Sequence, residues 1–256
     1  MNDFIFLNIL TVGLDYDRNF LRTQKSIQNL AVNNKGKLLI NWFIILKNYS
    51  KNELFIDNEN IIINLINKKD NGIYEAMNLL LAASRNKEGR CVFINSGDMI
   101  LGDAFKLLLL DQNQTLLAGD CEVVDEKGKF CWEFSSHAKH SGQKFGLAFG
   151  MPFNHGALFF KNSENIKYYK NTFNLSSLDY LWILENWGGL PKKEICINNN
   201  YLVHRFYLGG KSSSLSYLER YIEEIICVFK SDLRFITKFS SILFRIIKFS
   251  LRFFKK

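Results

Sequence analysis

Along the first 110 residues, unbroken apolar runs alternate with segments whose apolar residues recur every three or four positions. FIFLNILTV (4–12) is apolar and β-branched enough to predict a buried strand. NFLRTQKSIQNLAV (19–32) has helical spacing, and KLLINWFIIL (37–46) predicts a second strand. ENIIINLIN (59–67) contains a short third strand, IYEAMNLLLAASRN (73–86) a helix, and RCVFIN (90–95) a fourth strand. This order predicts a parallel sheet covered by helices. From residue 111 the pattern is less regular. TLLAGDCEVVD and KFCWEF predict antiparallel strands joined at Glu126-Lys127-Gly128, and HGALFF (155–160) predicts another strand. LDYLWILENWG (178–188) predicts a helix closing on a glycine, and EICINNNYLV (194–203) a further strand. One mixed α/β domain over residues 1–214, followed by a helical tail over 215–256, accounts for the order.

Composition narrows the class. With 256 residues and 47% hydrophobic content, the chain can bury a large core. Five cysteines are scattered with no Cys-x-x-Cys pair, which argues against a zinc site or a disulfide framework and favours a reducing compartment. The start, MNDFIFLNIL, has no basic region and reads as a first strand, not a signal peptide. No apolar run is long enough to predict a transmembrane helix. The net charge is +8, yet from Ile225 onward there are eight Lys/Arg against a single acid, Asp232. The basic character therefore belongs to the tail, whereas a nucleic-acid enzyme spreads it over the main domain.

Two short stretches carry chemistry. INSGDMIL (94–101) closes the fourth strand, and in an open parallel sheet ligands bind outside the carboxyl ends of the strands. There the Ser96-Gly97 turn presents Asp98, a carboxylate able to hold Mg²⁺ or Mn²⁺, although an ordinary turn has the same composition. DNGIYEAMN (70–78) reads either as a capped helix start or as a ligand loop. In the second reading Gly72 permits close backbone approach, and Asp70 and Asn78 offer hydrogen bonds to a base or ribose.

Together, DNGIYEAMN and INSGD resemble the bacterial family 2 glycosyltransferases of the GT-A fold, in the branch that builds capsule, lipopolysaccharide and colanic-acid-type polysaccharides. MPFNHGALFF, FNLSSLDYLWIL and YLGGKSSS resemble later motifs of that family, so the likeness spans residues 4–214. The resemblance implies a GT-A mixed sheet with flanking helices and inverting transfer of a sugar from a nucleotide-diphosphate donor to an acceptor hydroxyl. It implies donor contacts from Thr11, Asp70, Gly72, Tyr74, Asn78, Asn95 and Ser96. Asp98, with His204 as a further ligand, would hold Mn²⁺ or Mg²⁺. Asp179 would be the catalytic base, and His155 would lie on the acceptor side. Each residue also has a plain structural reading: Asp179 as a helix-start charge, His155 and His204 as core histidines, and Gly209 and Gly210 as a turn. The sequence departs from the family where the second strand usually ends in an Asp that contacts the donor base. Here IILKNYSKNE puts Lys47 in its place and Asn52 in that of a later Asp. Lysine accepts no hydrogen bond from a base. A catalytically silent, membrane-bound scaffold is therefore an alternative, and a sugar nucleotidyltransferase a more distant one.

The tail FKSDLRFITKFSSILFRIIKFSLRFFKK (229–256), wound as a helix, gathers its basic residues in one arc and Phe, Ile and Leu in the rest. That pattern predicts an amphipathic helix on an anionic membrane surface. The whole reading is a peripheral enzyme on the cytoplasmic face of a bacterial inner membrane. It would act on a saccharide or lipid-linked acceptor and have no nucleic-acid partner.

Overall fold

The computed structural model describes residues 4–48, 58–110, 113–136, 150–151, 153–170, 175–187, 194–209 and 216–253. Ser50, Asn52, Pro152, Gly188 and Gly210–Ser213 lie outside the described residues.

The first half follows the predicted order. Strand β1 (Ile5–Gly13) leads to helix α1 (Arg18–Asn33), then come β2 (Leu38–Leu46), β3 (Ile61–Leu65), α2 (Ile73–Ser84) and β4 (Arg90–Phe93). Asp17 caps α1 by accepting from Asn19 N and Phe20 N. β1 pairs in parallel with both β2 and β4, and β2 with β3, so four strands end along one edge. A two-residue β5 (Met99–Ile100) and α3 (Asp103–Leu108) follow, neither of which the sequence pattern predicts.

Next come β6 (Leu116–Val124) and β7 (Phe130–Phe134), which form the expected antiparallel hairpin. The stretch 155–160 is only half strand: His155–Ala157 is one 3₁₀ turn, capped by Asn154, and β8 covers Leu158–Phe160. α4 (Leu178–Trp187) and a long β9 (Ile195–Tyr207) complete the sheet, whose order is β3-β2-β1-β4-β8-β6-β9-β5, with β7 paired to β6. β8 is antiparallel to both β4 and β6, whereas β6 and β9 run parallel, so the sheet is mixed.

Alternation along the strands divides the core into two layers. Leu10, Phe43, Ile45 and Phe93 face one side and pack with α2 and α4. Leu7, Ile9, Trp42 and Ile44 face the other and pack with α1 and α3, where the Phe20 and Trp42 rings stack 5.4 Å apart.

The tail folds as α5 (Tyr217–Lys230) and α6 (Phe235–Phe253). A Ser216–Glu219 capping box starts α5, and its buried Cys227 and Val228 join the same core layer as α4. Both helices are thus docked on the domain. The orientation of α6 runs opposite to an ordinary surface helix. Among its described side chains the buried ones are the polar Thr237, Ser241 and Arg245, while Phe235, Ile236, Phe239, Ile246 and Ile247 are exposed. Among the described residues no helix is long and apolar enough to cross a membrane.

Candidate functional site

The site is built at the carboxyl edge of the parallel strands, where β4 runs into Asn95-Ser96-Gly97-Asp98. This turn is held from both sides. Ser96 N donates to Val12 O at 2.9 Å, and the Thr23 hydroxyl on α1 accepts from Gly97 N at 3.0 Å and donates to Asp98 O at 2.7 Å. Asp98, 9% exposed, accepts from Tyr207 N through Oδ1 at 3.2 Å. Its Oδ2 lies 3.7 Å from Nε2 of His204, which is 1% exposed. The other ring nitrogen of His204 meets Cys121 Sγ at 3.2 Å. Gly156 makes room for this ring, since a Cβ there would sit 2.4 Å from His204 Cε1. Burial pulls the His204 pKa down, but Cys121 and Asp98 outweigh it and push it up to about 10.

His204 Nε2 is buried without a hydrogen-bond partner and faces a carboxylate oxygen. Two neighbouring ligands of one divalent cation stand about 3.0–3.4 Å apart, so small adjustments from 3.7 Å would let this pair hold one. Among the described residues no cluster of three or more His, Cys, Asp and Glu converges. A hard cation would have to displace the His204 proton to be held by Asp98 and His204, and would take its remaining oxygens from water and phosphate.

The second half of the site is a cleft of about 340 Å³ lined by Trp132, Ser177, Asp179, Phe206, Arg220 and Glu224, among others. Asp179 is in the first turn of α4 and accepts from Tyr180 N at 2.8 Å. Burial raises its pKa from 3.8 to about 6; backbone N–H groups of Tyr180 and Asp179 pull against this, and Glu224 and Glu223 on α5 add to it. A carboxyl poised there is suited to accept a proton near neutral pH. The end of β9 links the two halves: Tyr207 N holds Asp98, while its neighbours Phe206 and Leu208 line the cleft with Asp179.

The 70–78 stretch is ordered by its own side chains. Asp70 accepts from Gly72 N at 3.0 Å, and Glu75 accepts from Asn71 N at 2.8 Å. Gly72 has φ +136° and open space where a Cβ would go. The glycine therefore answers a backbone demand. Tyr74 donates to Ser176 O at 2.6 Å, and Asn78 clamps the Tyr169 backbone, donating to its O at 3.0 Å and accepting from its N at 2.7 Å. Thr11 is buried, donating to Ile94 O and accepting from Trp42 Nε1, both at 2.8 Å. Thr11, Tyr74 and Asn78, read from the sequence as donor contacts, thus have their polar groups committed to structure. His155 lies in the aromatic core and not on the cleft wall: it stacks on Phe93 at 4.9 Å and meets Tyr169 OH at 2.7 Å. Burial, with His204 adding, pushes its pKa down to about 3, so it stays neutral. Ser96 is partly buried, and Asn95 Oδ1 is buried without a partner.

No family model matches the sequence, and no curated protein matches it. Solved structures do match. TarS 1-349 from S. aureus superposes with a TM-score of 0.59 at 12% identity, covering 94% of this chain and 70% of that one. The same protein in complex with UDP-GlcNAc gives 0.58 at 13% identity, covering 93% of this chain and 70% of that one. The mannosyltransferase PcManGT from Pyrobaculum calidifontis, in complex with GDP-Man and Mn2+, gives 0.52 at 10% identity over 93% of this chain and 68% of that one. The chain has the GT-A fold. These structural neighbours are nucleotide-sugar glycosyltransferases.

Against the GT-A frame, Lys47 stands exposed just past β2, its N–H bonded to Gly13 O at 3.2 Å. Asp15, in the loop after β1, accepts from Asn48 Nδ2 at 2.8 Å and brings a carboxylate to the same edge. Sequence reasoning missed Asp15, Cys121, Trp132, Arg220 and the Glu223–Glu224 pair. Their importance comes from strand pairing and from the docking of α5, which no local periodicity encodes.

Proposed function

We propose that this chain is an inverting glycosyltransferase that moves a sugar from a nucleotide-diphosphate donor to an acceptor hydroxyl. The observation that carries this reading is the arrangement around the end of β9: Phe206 and Leu208 line a cleft that holds a carboxyl poised near neutral pH, Asp179, while Tyr207 between them holds Asp98 of the Asp98–His204 pair. Asp98 and His204 would hold Mn²⁺ or Mg²⁺, which supplies Lewis-acid neutralisation of charge on a departing diphosphate. Asp179 takes the acceptor proton as the hydroxyl oxygen attacks. Trp132 and Phe206 give the cleft an apolar wall, and Arg220 gives it a cation.

The exposed Phe and Ile face of α6, in a tail whose sequence is rich in Lys and Arg, supports a peripheral site on an anionic membrane. The reading is completed by a saccharide or lipid-linked acceptor, a role in bacterial surface-polysaccharide synthesis, and a place on the cytoplasmic face of the inner membrane. The test is thermal denaturation with UDP-, GDP- and dTDP-sugars, with and without Mn²⁺. Stabilisation by one donor that needs Mn²⁺ and is lost in Asp98→Asn supports the proposal, and at about 100 Kd it amounts to about 2.7 kcal/mol. No stabilisation by any donor overturns it in favour of the silent scaffold, the reading that Lys47 at the end of β2 favours.

A further inference from the structure

The C-terminal helix reaches the base. Arg245 on α6 is 2% exposed although its helix turns an apolar face to solvent. Its Nη2 donates to Tyr180 OH at 2.8 Å and its Nη1 to Ser241 Oγ at 2.5 Å, and its Nε lies 3.5 Å from Glu224 Oε2. Tyr180 follows Asp179 directly and gives it a backbone hydrogen bond. Glu224 lines the cleft with Asp179. The neighbouring Glu223 fixes the start of α4, accepting from Ser176 N at 3.0 Å and Ser177 Oγ at 2.9 Å. A cation buried in this way would be costly without such partners, so its placement needs a reason.

We propose that Arg245 is a positioning residue for Asp179, gripping Tyr180 and Glu224 so that the C-terminal helix forms part of the acceptor site. The inference rests on the reading of Asp179 as the base. The charged and titratable groups around Asp179 are Glu223, Glu224, Arg220 and Cys227 from α5, Tyr74 from α2, Tyr169, and Arg245 through its two contacts. Both glutamates push the Asp179 proton affinity up, and Arg245 offsets Glu224. Without the guanidinium, Glu224 acts uncompensated and Asp179 keeps its proton to higher pH. The tail is then more than an anchor: the helix that offers its outer side to a membrane holds the base from its inner side.

The test is a carboxyl titration of the full chain labelled with ¹³C at aspartate Cγ, with the Asp179 signal assigned by its loss in Asp179→Asn. Arg245→Met raises the Asp179 midpoint by about half to one pH unit, Glu224→Gln lowers it by a similar amount, and the double variant lies between. Should Arg245→Met fail to fold, Glu224→Gln carries the test alone, because Glu224 is only partly buried. An unmoved midpoint in either folded variant overturns the proposal. The titration needs neither donor nor acceptor. A moved midpoint therefore supports the coupling even if the donor panel fails, and an unmoved one overturns it even if the panel succeeds.

Discussion

Replacing Asp179 by Asn should make the protein more stable while removing transfer. Its carboxyl pKa stands at about 6 against an ordinary 3.8, mainly because burial opposes the charged form. Between those values the folded chain binds more protons than the unfolded one, so stability falls as pH rises through this window and stays reduced above it. Two units correspond to about 3 kcal/mol, and partial contact of the carboxylate with solvent trims this to roughly 1–2 kcal/mol. Asparagine is neutral and can still accept from Tyr180 N through its amide oxygen. In a chain of this size about 1 kcal/mol moves Tm by roughly 2–4 °C, so Asp179→Asn should melt about 3–6 °C above wild type near pH 8. Most of that gain should vanish near pH 4, where the native carboxyl is already protonated. Differential scanning calorimetry at both pH values makes the comparison. A wild type at least as stable as the variant near pH 8, or an equal gain at both values, would refute the claim that the fold holds this carboxyl in an uncomfortable charged state.

Gly156→Ala should cost about 1–3 kcal/mol, because the new Cβ would lie 2.4 Å from His204 Cε1; urea unfolding measures the loss, and an unchanged midpoint would show the ring has slack. Phe235→Ser combined with Phe239→Ser should weaken sedimentation with anionic vesicles and leave Tm unchanged, since both rings are exposed, Phe235 by 79%. Equal sedimentation by wild type and variant would remove the lipid face. Trp132→Ala should shift stability by no more than about 0.5 kcal/mol, the ring being 48% exposed, yet raise the acceptor KM in a steady-state transfer assay; an unchanged KM would take Trp132 out of the acceptor site.

The first half of the fold was legible because its strands are buried on both faces, so their apolar runs announce themselves; β1, β2 and α1 fall within a residue of the predicted bounds. β5 was not legible. Two residues have no period, and it is a strand only because β9 passes beside it. The sequence stretch HGALFF was read as one strand, but Asn154 caps a 3₁₀ turn at its start and Gly156 is needed against His204. At the site, the motifs located Asp98, Asp179 and His204 in chemically apt surroundings. For Tyr74, Asn78 and Thr11 the motifs gave no sign of the backbone and core hydrogen bonds that these side chains make, because a polar side chain looks the same in sequence whether it faces a ligand or a backbone carbonyl. The tail's amphipathicity was visible, but its direction was not, since it takes Arg245 seated on Tyr180 and Glu224 to show which side is turned inward.

The side chains of residues 70–78 have an entropic consequence. Asp70, Tyr74, Glu75 and Asn78 each fasten a piece of backbone, either within the loop or across to residues 169 and 176. Ordering a free loop on encounter would subtract about 1–2 kcal/mol per residue from the affinity of whatever ligand it meets. Here that ordering is accomplished when the chain folds. If the proposed donor binds along this edge, it would meet a wall already in its final shape, and more of its contact energy would remain available as affinity.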